Sequence, residues 1–502
     1  MNRSQDFDVA IIGAGPAGTC AALRLLSLGY KVALIERRPF PRPQIGESIS
    51  AGIWNILDYL DANSILNSCN MLSGLPTRTI WEKPESDVGE RQGLIVDRAD
   101  FDSKLLNLAK MRGASIFQPA QVVKQQTMQI RTVSGEVEVN AKLIFEATGR
   151  AGESAQKRFP TAPTTLALWT HISAMAQETS IEAIDNGWLW GTALPSGAYR
   201  VMAFLDSATV KQRNKDLENF LRAILDKSKL FKYAATAQFI SPVRTCSATP
   251  YLNLEPWSGK KIMIGEAAFA LDPLSSSGVE KAMRFTLQAV IAANTVLQDS
   301  SKTELAKEFY LSRLLESVAT HAVWTCGYYN AAWPSSKYVS KFWSDRSKII
   351  FQDIENCPAL VASLKDACMA REKIESTRQQ QAKQEGQEKS FSPEEFKSFL
   401  NLPIFLSPAT SLTKTPCVVD DRVELHTVVT HPKLERPVGF LAGFELARLL
   451  QQVPHAATVG QLIGFWSAQM RIQTATEIVL WLQNNGLLQT AREFIEPDRG
   501  NT

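Results

Sequence analysis

The opening residues restrict the fold more than any other stretch. Asp8-Val9-Ala10-Ile11-Ile12 is an apolar run of strand length, and it ends at Gly13-Ala14-Gly15-Pro16-Ala17-Gly18. Leu23, Leu25, Leu26 and Leu28 follow in a helical pattern that Gly29 stops, and Val32-Ala33-Leu34-Ile35 then runs to Glu36. Strand, Gly-x-Gly-x-x-Gly turn, helix, strand and terminal acid make a βαβ unit, which predicts a Rossmann-like parallel sheet.

The spacing has a chemical purpose. Gly13 permits the tight turn, Gly15 lets the backbone approach a pyrophosphate, and Gly18 lets helix and strand pack closely. Pro16 and Ala17 open the helix, whose free N–H groups and positive dipole end suit phosphate. Glu36, 18 residues after Gly18, is placed to accept ribose hydroxyls. It would repel a 2′-phosphate, although Arg37 and Arg38 follow, so the nucleotide is FAD or NAD. Two further segments carry strand-then-small-residue signals. Leu143-Ile144-Phe145-Glu146 ends in Ala147-Thr148-Gly149-Arg150. Lys261-Ile262-Met263-Ile264 leads to Gly265-Glu266-Ala267-Ala268 and then Asp272-Pro273-Leu274-Ser275-Ser276-Ser277-Gly278, a Ser/Gly-rich loop that opens a helix and suits negative charge.

Composition narrows the remaining classes. The chain has 502 residues, 45% hydrophobic and 21% charged, with a net charge of +3. This excludes a disordered chain and predicts two to four domains. It supplies no concentrated positive charge for nucleic acid. Seven cysteines without a C-x-x-C pair suggest neither a disulfide framework nor a zinc site, and five histidines without metal-ligand spacing suggest no metal centre. The N-terminus lacks a secretory pattern and no window reaches the ~18 apolar residues of a membrane span, so a soluble, cytoplasmic protein is expected.

Gly-Ala-Gly-Pro-Ala-Gly with Glu36, the Ala-Thr-Gly strand and Gly-Glu-Ala-Ala…Asp-Pro, in this order, resemble the p-hydroxybenzoate-hydroxylase-type flavoproteins. Gly46-Glu47-Ser48, Asp97-Arg98-Ala99-Asp100-Phe101-Asp102, Gly187-Trp188-Leu189-Trp190 and Asp-Pro-Leu-Ser-Ser-Ser-Gly narrow the likeness. They resemble the branch of flavin-dependent tryptophan halogenases, geranylgeranyl reductases and the flavoprotein monooxygenases of tryptophylquinone biogenesis. The likeness covers about residues 6 to 345. It implies FAD, held by Gly13, Gly15, Pro16, Ala17, Gly18, Glu36, Arg37, Glu47, Ser48, Arg98, Ala147, Thr148, Gly149, Gly265, Glu266, Asp272, Pro273, Ser276, Ser277 and Gly278. It also implies a fold: an α/β Rossmann-like FAD-binding domain with an inserted antiparallel-sheet substrate domain.

The chain departs from that branch at three places. Glu266 stands where the family usually has Asp, one methylene shorter. The halogenase Trp-x-Trp-x-Ile-Pro is incomplete, since Trp190 is followed by Gly191-Thr192-Ala193. The halogenase lysine a few residues before a tryptophan is missing from Gly74-Leu75-Pro76-Thr77-Arg78-Thr79-Ile80-Trp81, and Lys83 lies beyond. The expectation is therefore an FAD-dependent monooxygenase that uses a flavin C4a-hydroperoxide to hydroxylate an aromatic substrate, indole or peptide tryptophan included. A flavin-dependent halogenase, an ene-reductase of the geranylgeranyl-reductase type and a non-enzymatic flavin-bound scaffold are the rivals. No second Gly-x-Gly-x-x-Gly is present, so NAD(P)H would bind transiently, or a separate flavin reductase would deliver electrons.

The candidate catalytic residues are Glu47, His171, His321, Trp188 and Trp190. Trp188 and Trp190 share one face of a strand, beside the cofactor or in a sheet core. His171 alternates within Leu168-Trp169-Thr170-His171-Ile172, as a site residue or a packed histidine. His321 shares a helix with Trp324, Tyr328 and Tyr329, near Trp333, which reads as an aromatic pocket or as core.

The remaining expectation concerns domain organisation. Residues 1–155 and 245–345 form the FAD-binding domain, 156–244 the substrate sheet, 346–395 a helical region and polar linker, and 396–502 a C-terminal α+β winged-helix-like module. The linker signal is the Gln-rich stretch from Ala370 to Ser390. In the module, Val418 to Thr430 reads as a strand, and helices are expected at Phe444–Leu450, from Thr458 and from Thr476. A weak likeness to peptide-recognition domains implies peptide binding by strand addition; a lid or dimerisation module is the alternative.

Overall fold

The computed structural model describes residues 3–90, 93–124, 128–152, 156–173, 176–213, 216–333, 340–349, 358–384, 393–434 and 436–490. The chain divides into two compact units, Met1–Cys368 and Met369–Thr502.

In the first unit the strand Arg3–Ile12 lies at the centre of a parallel sheet. Val9 pairs with Val32 on one side and with Leu143 on the other. The spatial order is Trp257–Ser258, Lys261–Met263, Gly135–Glu146, Arg3–Ile12, Val32–Ile35, Ser115–Phe117, with only the outer Trp257–Ser258 strand antiparallel on this path. The strand Val32–Ile35 is buried throughout, as a parallel sheet covered on both faces requires. The turn chemistry matches the fingerprint. Gly13 adopts φ +106°, and a Cβ there would lie 2.3 Å from the Ala147 carbonyl oxygen. A Cβ on Gly18 would lie 1.9 Å from the Gly13 carbonyl oxygen. These two glycines close the strand–helix contact. The helix Pro16–Ser27 begins with proline at its first turn, where a missing N–H costs nothing.

A second sheet has the order Arg244–Ser247, Thr165–Ser173, Ala198–Asp206, Gly187–Ala193, Thr179–Ile184, Pro76–Ile80, Asp87–Glu90. All of its pairs are antiparallel except Thr179–Ile184 with Pro76–Ile80. Strand alternation divides its side chains. Leu168, Ile172, Leu189, Tyr199, Val201 and Ala203 pack on one face against the helices Ser207–Gln212, Leu217–Asp226 and Lys232–Thr236. Trp169, Trp188, Trp190, Met202 and Phe204 take the other face. This is the expected mixed architecture: a Rossmann-like sheet with an added antiparallel one.

The second unit is small and mixed. The expected single strand Val418–Thr430 is instead the turn and return arm of a hairpin. Ser411–Val419 pairs with Arg422–Thr430, and Asp420 and Asp421 between them both have positive φ, 46° and 62°. Two such residues close a two-residue loop whose twist matches the strands. The helix expected from Phe444 begins at Leu446, because Phe444–Glu445 pairs with Phe440–Leu441. Thr458 caps Val459–Ser467 through its side chain, accepting from Gln461 N. Ile472–Asn484 follows, and Trp466, Ile478, Leu482 and Leu487 share this unit's core. Through Gln384 the polar stretch is helix, Ala359–Gln384; its residues 385–390 lie outside the described residues.

Candidate active site

The carboxyl ends of the parallel strands, where open α/β sheets bind their ligands, border a cavity of about 1250 Å³ that reaches to the aromatic face of the second sheet. Its volume exceeds the roughly 300–1,000 Å³ of ordinary small-molecule pockets, and its length takes in both the glycine turn and the tryptophans.

The nucleotide end suits an FAD. Gly15 and Gly278 line the cavity; a Cβ on Gly15 would make one ordinary contact, 3.7 Å from Arg42 Nη2, and a Cβ on Gly278 would meet nothing within 4 Å. Neither Pro16–Ser27 nor Gly278–Gln298 has a side-chain cap, so their first N–H groups are left for an anion. Glu36 is buried and accepts from Ala14 N (3.0 Å) and Arg38 N (2.9 Å), one bond to each oxygen. Each oxygen keeps a lone pair for a ribose hydroxyl. Arg98, also buried, grips Asp102 through Nε (2.9 Å) and Nη2 (3.0 Å) and donates to the Ile45 and Gly46 carbonyls, holding the Gly46-Glu47-Ser48 turn. Glu266 lines the cavity and uses its extra methylene to reach Arg150 Nε at 2.8 Å. Ser276 takes the left-handed conformation, φ +49°, ahead of the helix that Gly278 opens.

At the sheet end, register decides which side chains meet. His171 pairs with Arg200, Trp169 with Met202, Met202 with Trp190, and Phe204 with Trp188. Trp188 stacks on Phe204 with centroids 3.8 Å apart and donates from Nε1 to Tyr329 Oη at 3.2 Å. Tyr329 in turn donates to Asp272 Oδ2 at 3.1 Å. Burial raises the Asp272 carboxyl above its ordinary value, against the bonds from Leu274 N and Tyr329 that lower it. Arg200 Nη2 lies 2.8 Å from Glu47 Oε1 and 2.7 Å from His171 Nε2. Arginine has no acceptor, so His171 Nε2 must accept and its Nδ1 carries the proton, which points to Ser241 Oγ at 3.2 Å. Burial, then the charges of Arg200 and Arg244, lower the His171 pKa to about 4, so the imidazole is neutral at neutral pH.

Of the residues expected from sequence, Gly13, Gly15, Pro16, Ala17, Glu36, Arg37, Glu47, Ser48, Arg98, Ala147, Thr148, Gly149, Gly265, Glu266, Asp272, Pro273, Ser276, Gly278, His171, Trp188 and Trp190 line this one cavity. Three do not. Gly18 serves the turn, Ser277 precedes the helix as its N-cap, and His321 sits behind Asp272, whose carbonyl receives its Nε2 at 3.1 Å. Sequence reasoning passed over Trp169, Arg200, Ser241 and Arg244, all of which line the cavity. An arginine inside the apolar strand Ala198–Asp206 was the available signal. Trp81, by contrast, is in the aromatic core, and Lys83 is half-exposed and paired with Asp87. No lysine lines the cavity among the described residues, and none of them group to hold a metal ion. No helix among them is long and apolar enough to cross a membrane.

The fold and the cavity are those of an FAD-binding protein, and the class they resemble is the FAD-dependent oxidoreductases. The chain resembles the group that holds the flavin-dependent halogenases, the tryptophylquinone-biogenesis flavoproteins and the geranylgeranyl reductases. Residues 7–162 match the family described as pyridine nucleotide-disulphide oxidoreductase. The chain is 25% identical over 344 residues to a tryptophan 2-halogenase of Chondromyces crocatus, a match covering 62% of this chain and 65% of that protein. It is also 25% identical over 347 residues to a putative FAD-dependent oxidoreductase, LodB, of Marinomonas mediterranea, covering 62% and 90%. Among solved structures it resembles the peptidyl tryptophan dihydroxylase QhpG, essential for tryptophylquinone cofactor biogenesis, with a TM-score of 0.70, 22% identity and coverage of 96% and 100%. The flavin-dependent halogenase CmlS gives a TM-score of 0.72 at 20% identity, covering 97% and 96%.

Proposed function

We propose that the chain is a monooxygenase that inserts one oxygen atom into an aromatic substrate of the indole or peptide-tryptophan class. The observation that carries this reading is the sheet wall of the cavity: three indoles and a phenyl ring, and no lysine among the described lining residues. Flat apolar walls orient a flat ring and exclude water from it. A halogenase of the resembling branch uses a lysine, and that position is empty of one in this sequence.

FAD, when bound, supplies the redox chemistry that activates dioxygen. The chain's own residues do the rest. The helix ends and Glu36 hold the nucleotide. Trp169, Trp188 and Trp190 set the plane of the substrate ring. Glu47, held by Arg200 and by Gly46 N at 3.0 Å, is the carboxylate at the junction of the two ends, placed to take a proton from the ring or its hydroxyl. His171 has both ring nitrogens engaged and orients Arg200 rather than acting as a free base.

The test is product analysis with FAD-loaded protein, a chemical reductant or added flavin reductase, oxygen, and a tryptophan-containing peptide or indole, with and without bromide. A product heavier by one oxygen, unaffected by bromide, is expected. A brominated product would instead establish halogenation, and turnover without oxygen uptake would establish an ene-reductase.

A further inference from the structure

The sheet wall of the cavity is rich in hydrogen-bond donors that have nothing to donate to. Trp169 and Trp190 are 92–93% buried by their exposures of 8% and 7%, and each Nε1 lacks a partner among the described residues. Arg200, 5% exposed, spends Nη2 on Glu47 and His171 and leaves Nε and Nη1 unpartnered. All three residues line the cavity, and register places them on adjacent strands, with Trp169 and Trp190 both paired to Met202 and His171 paired to Arg200. Native interiors seldom leave such groups unmet, and a cluster of them on one wall marks a place where a ligand supplies the acceptors.

Charge says what kind of acceptor. The Arg200 guanidinium lies 4.5 Å from the centre of the Trp169 ring, and that of Arg244 lies 5.8 Å from the same ring. Glu47 offsets Arg200. Arg244 is exposed, on the edge strand Arg244–Ser247; it lines the cavity and has no carboxylate partner among the described residues. His171, between them on the same face, is neutral and donates away, to Ser241. The wall therefore carries one uncompensated positive charge beside a bank of donors, against an aromatic surface.

We infer that this wall is an anion subsite: Arg244, with Arg200 and the indole N–H groups, receives a carboxylate on the aromatic substrate, and so selects an acidic aromatic compound over its neutral counterpart. The inference rests on the aromatic reading above and deepens it by naming the charge of the substrate. A carboxylate can come from two sources, a free aromatic acid or an acidic residue next to a tryptophan in a peptide. A charge-assisted contact in a cavity is stronger than a neutral one and is selective for arginine's fork.

The test is a titration of the FAD-loaded protein, followed by the flavin absorbance change, with two matched pairs. One pair is indole-3-acetate and 3-methylindole; the other is a capped Trp-Asp dipeptide and its Trp-Asn counterpart. In the unaltered protein the acid of at least one pair is expected to bind about tenfold tighter than its neutral partner. The pair that shows the preference identifies the source. Arg244→Gln should remove the preference by weakening the acid alone, and Arg244→Lys should restore part of it. Equal binding within both pairs, or a loss in Arg244→Gln that is the same for acid and neutral ligand, overturns the subsite while leaving the aromatic reading in place. If neither ring binds in either form, the aromatic reading itself is overturned, and the subsite with it.

Discussion

At the residue scale, two glycines two positions apart do different work. Gly13 has φ +106° and no room for a Cβ, whereas Gly15 has φ −70° and faces the cavity. Gly13→Ala should therefore cost about 1–3 kcal/mol of stability through strain and crowding, measured by denaturant unfolding of the apoprotein. Gly15→Val should leave that unfolding nearly unchanged but abolish the flavin absorbance of the purified protein. His321 makes a separate prediction. Burial lowers its folded pKa to about 4 from the ordinary histidine value of about 6.5. The unfolded chain then binds a proton that the folded chain refuses, so its contribution is complete above pH 6.5 and is lost as pH falls toward 4. A shift of that size is worth about 3 kcal/mol. His321→Gln, which keeps a donor for the Asp272 carbonyl, should flatten the fall in stability over that window; an unchanged slope would refute the assignment.

At the element scale, the strand Gly187–Ala193 shows how packing and chemistry share a backbone. Leu189 faces the helices and is fully buried, while Trp188 and Trp190 face the cavity. Leu189→Ala should cost about 2–5 kcal/mol of global stability. Trp190→Phe, one residue on, removes no hydrogen bond, since its Nε1 has no partner among the described residues. It should cost little stability and raise KM for the aromatic substrate while FAD stays bound. The same strand explains what was legible in the sequence. The glycine turn, Glu36 and the Asp272–Gly278 loop are contiguous motifs, and their spacing encodes their geometry. The period of two also placed Trp188 and Trp190 together. Arg200 was not legible, because its meeting with Glu47 and His171 depends on cross-strand register and on a loop 153 positions away. His321 shares a helix with Tyr329, but helical spacing does not say which side of Asp272 that helix approaches. The Asp420-Asp421 turn was missed because aspartate tolerates positive φ without announcing it, whereas glycine would have.

At the scale of the whole molecule, two compact units predict two events on heating. The residues that line the cavity come from the first unit alone, from Ile12 to Ala282. Calorimetry of the full chain should show two transitions, and FAD at roughly 100 times its Kd should raise only one, by about 2.7 kcal/mol. A single transition that moves as a whole would count against independent units. The two-faced sheet has a longer reach in time. Half of its side chains answer to the helices beneath, and the other half answer both to the aromatic cluster of Trp81, Tyr329, Phe342 and Trp343 and to whatever enters the cavity. A change of substrate can therefore be written in alternate letters of a few strands, provided the new letters still fill the aromatic cluster that shares their face.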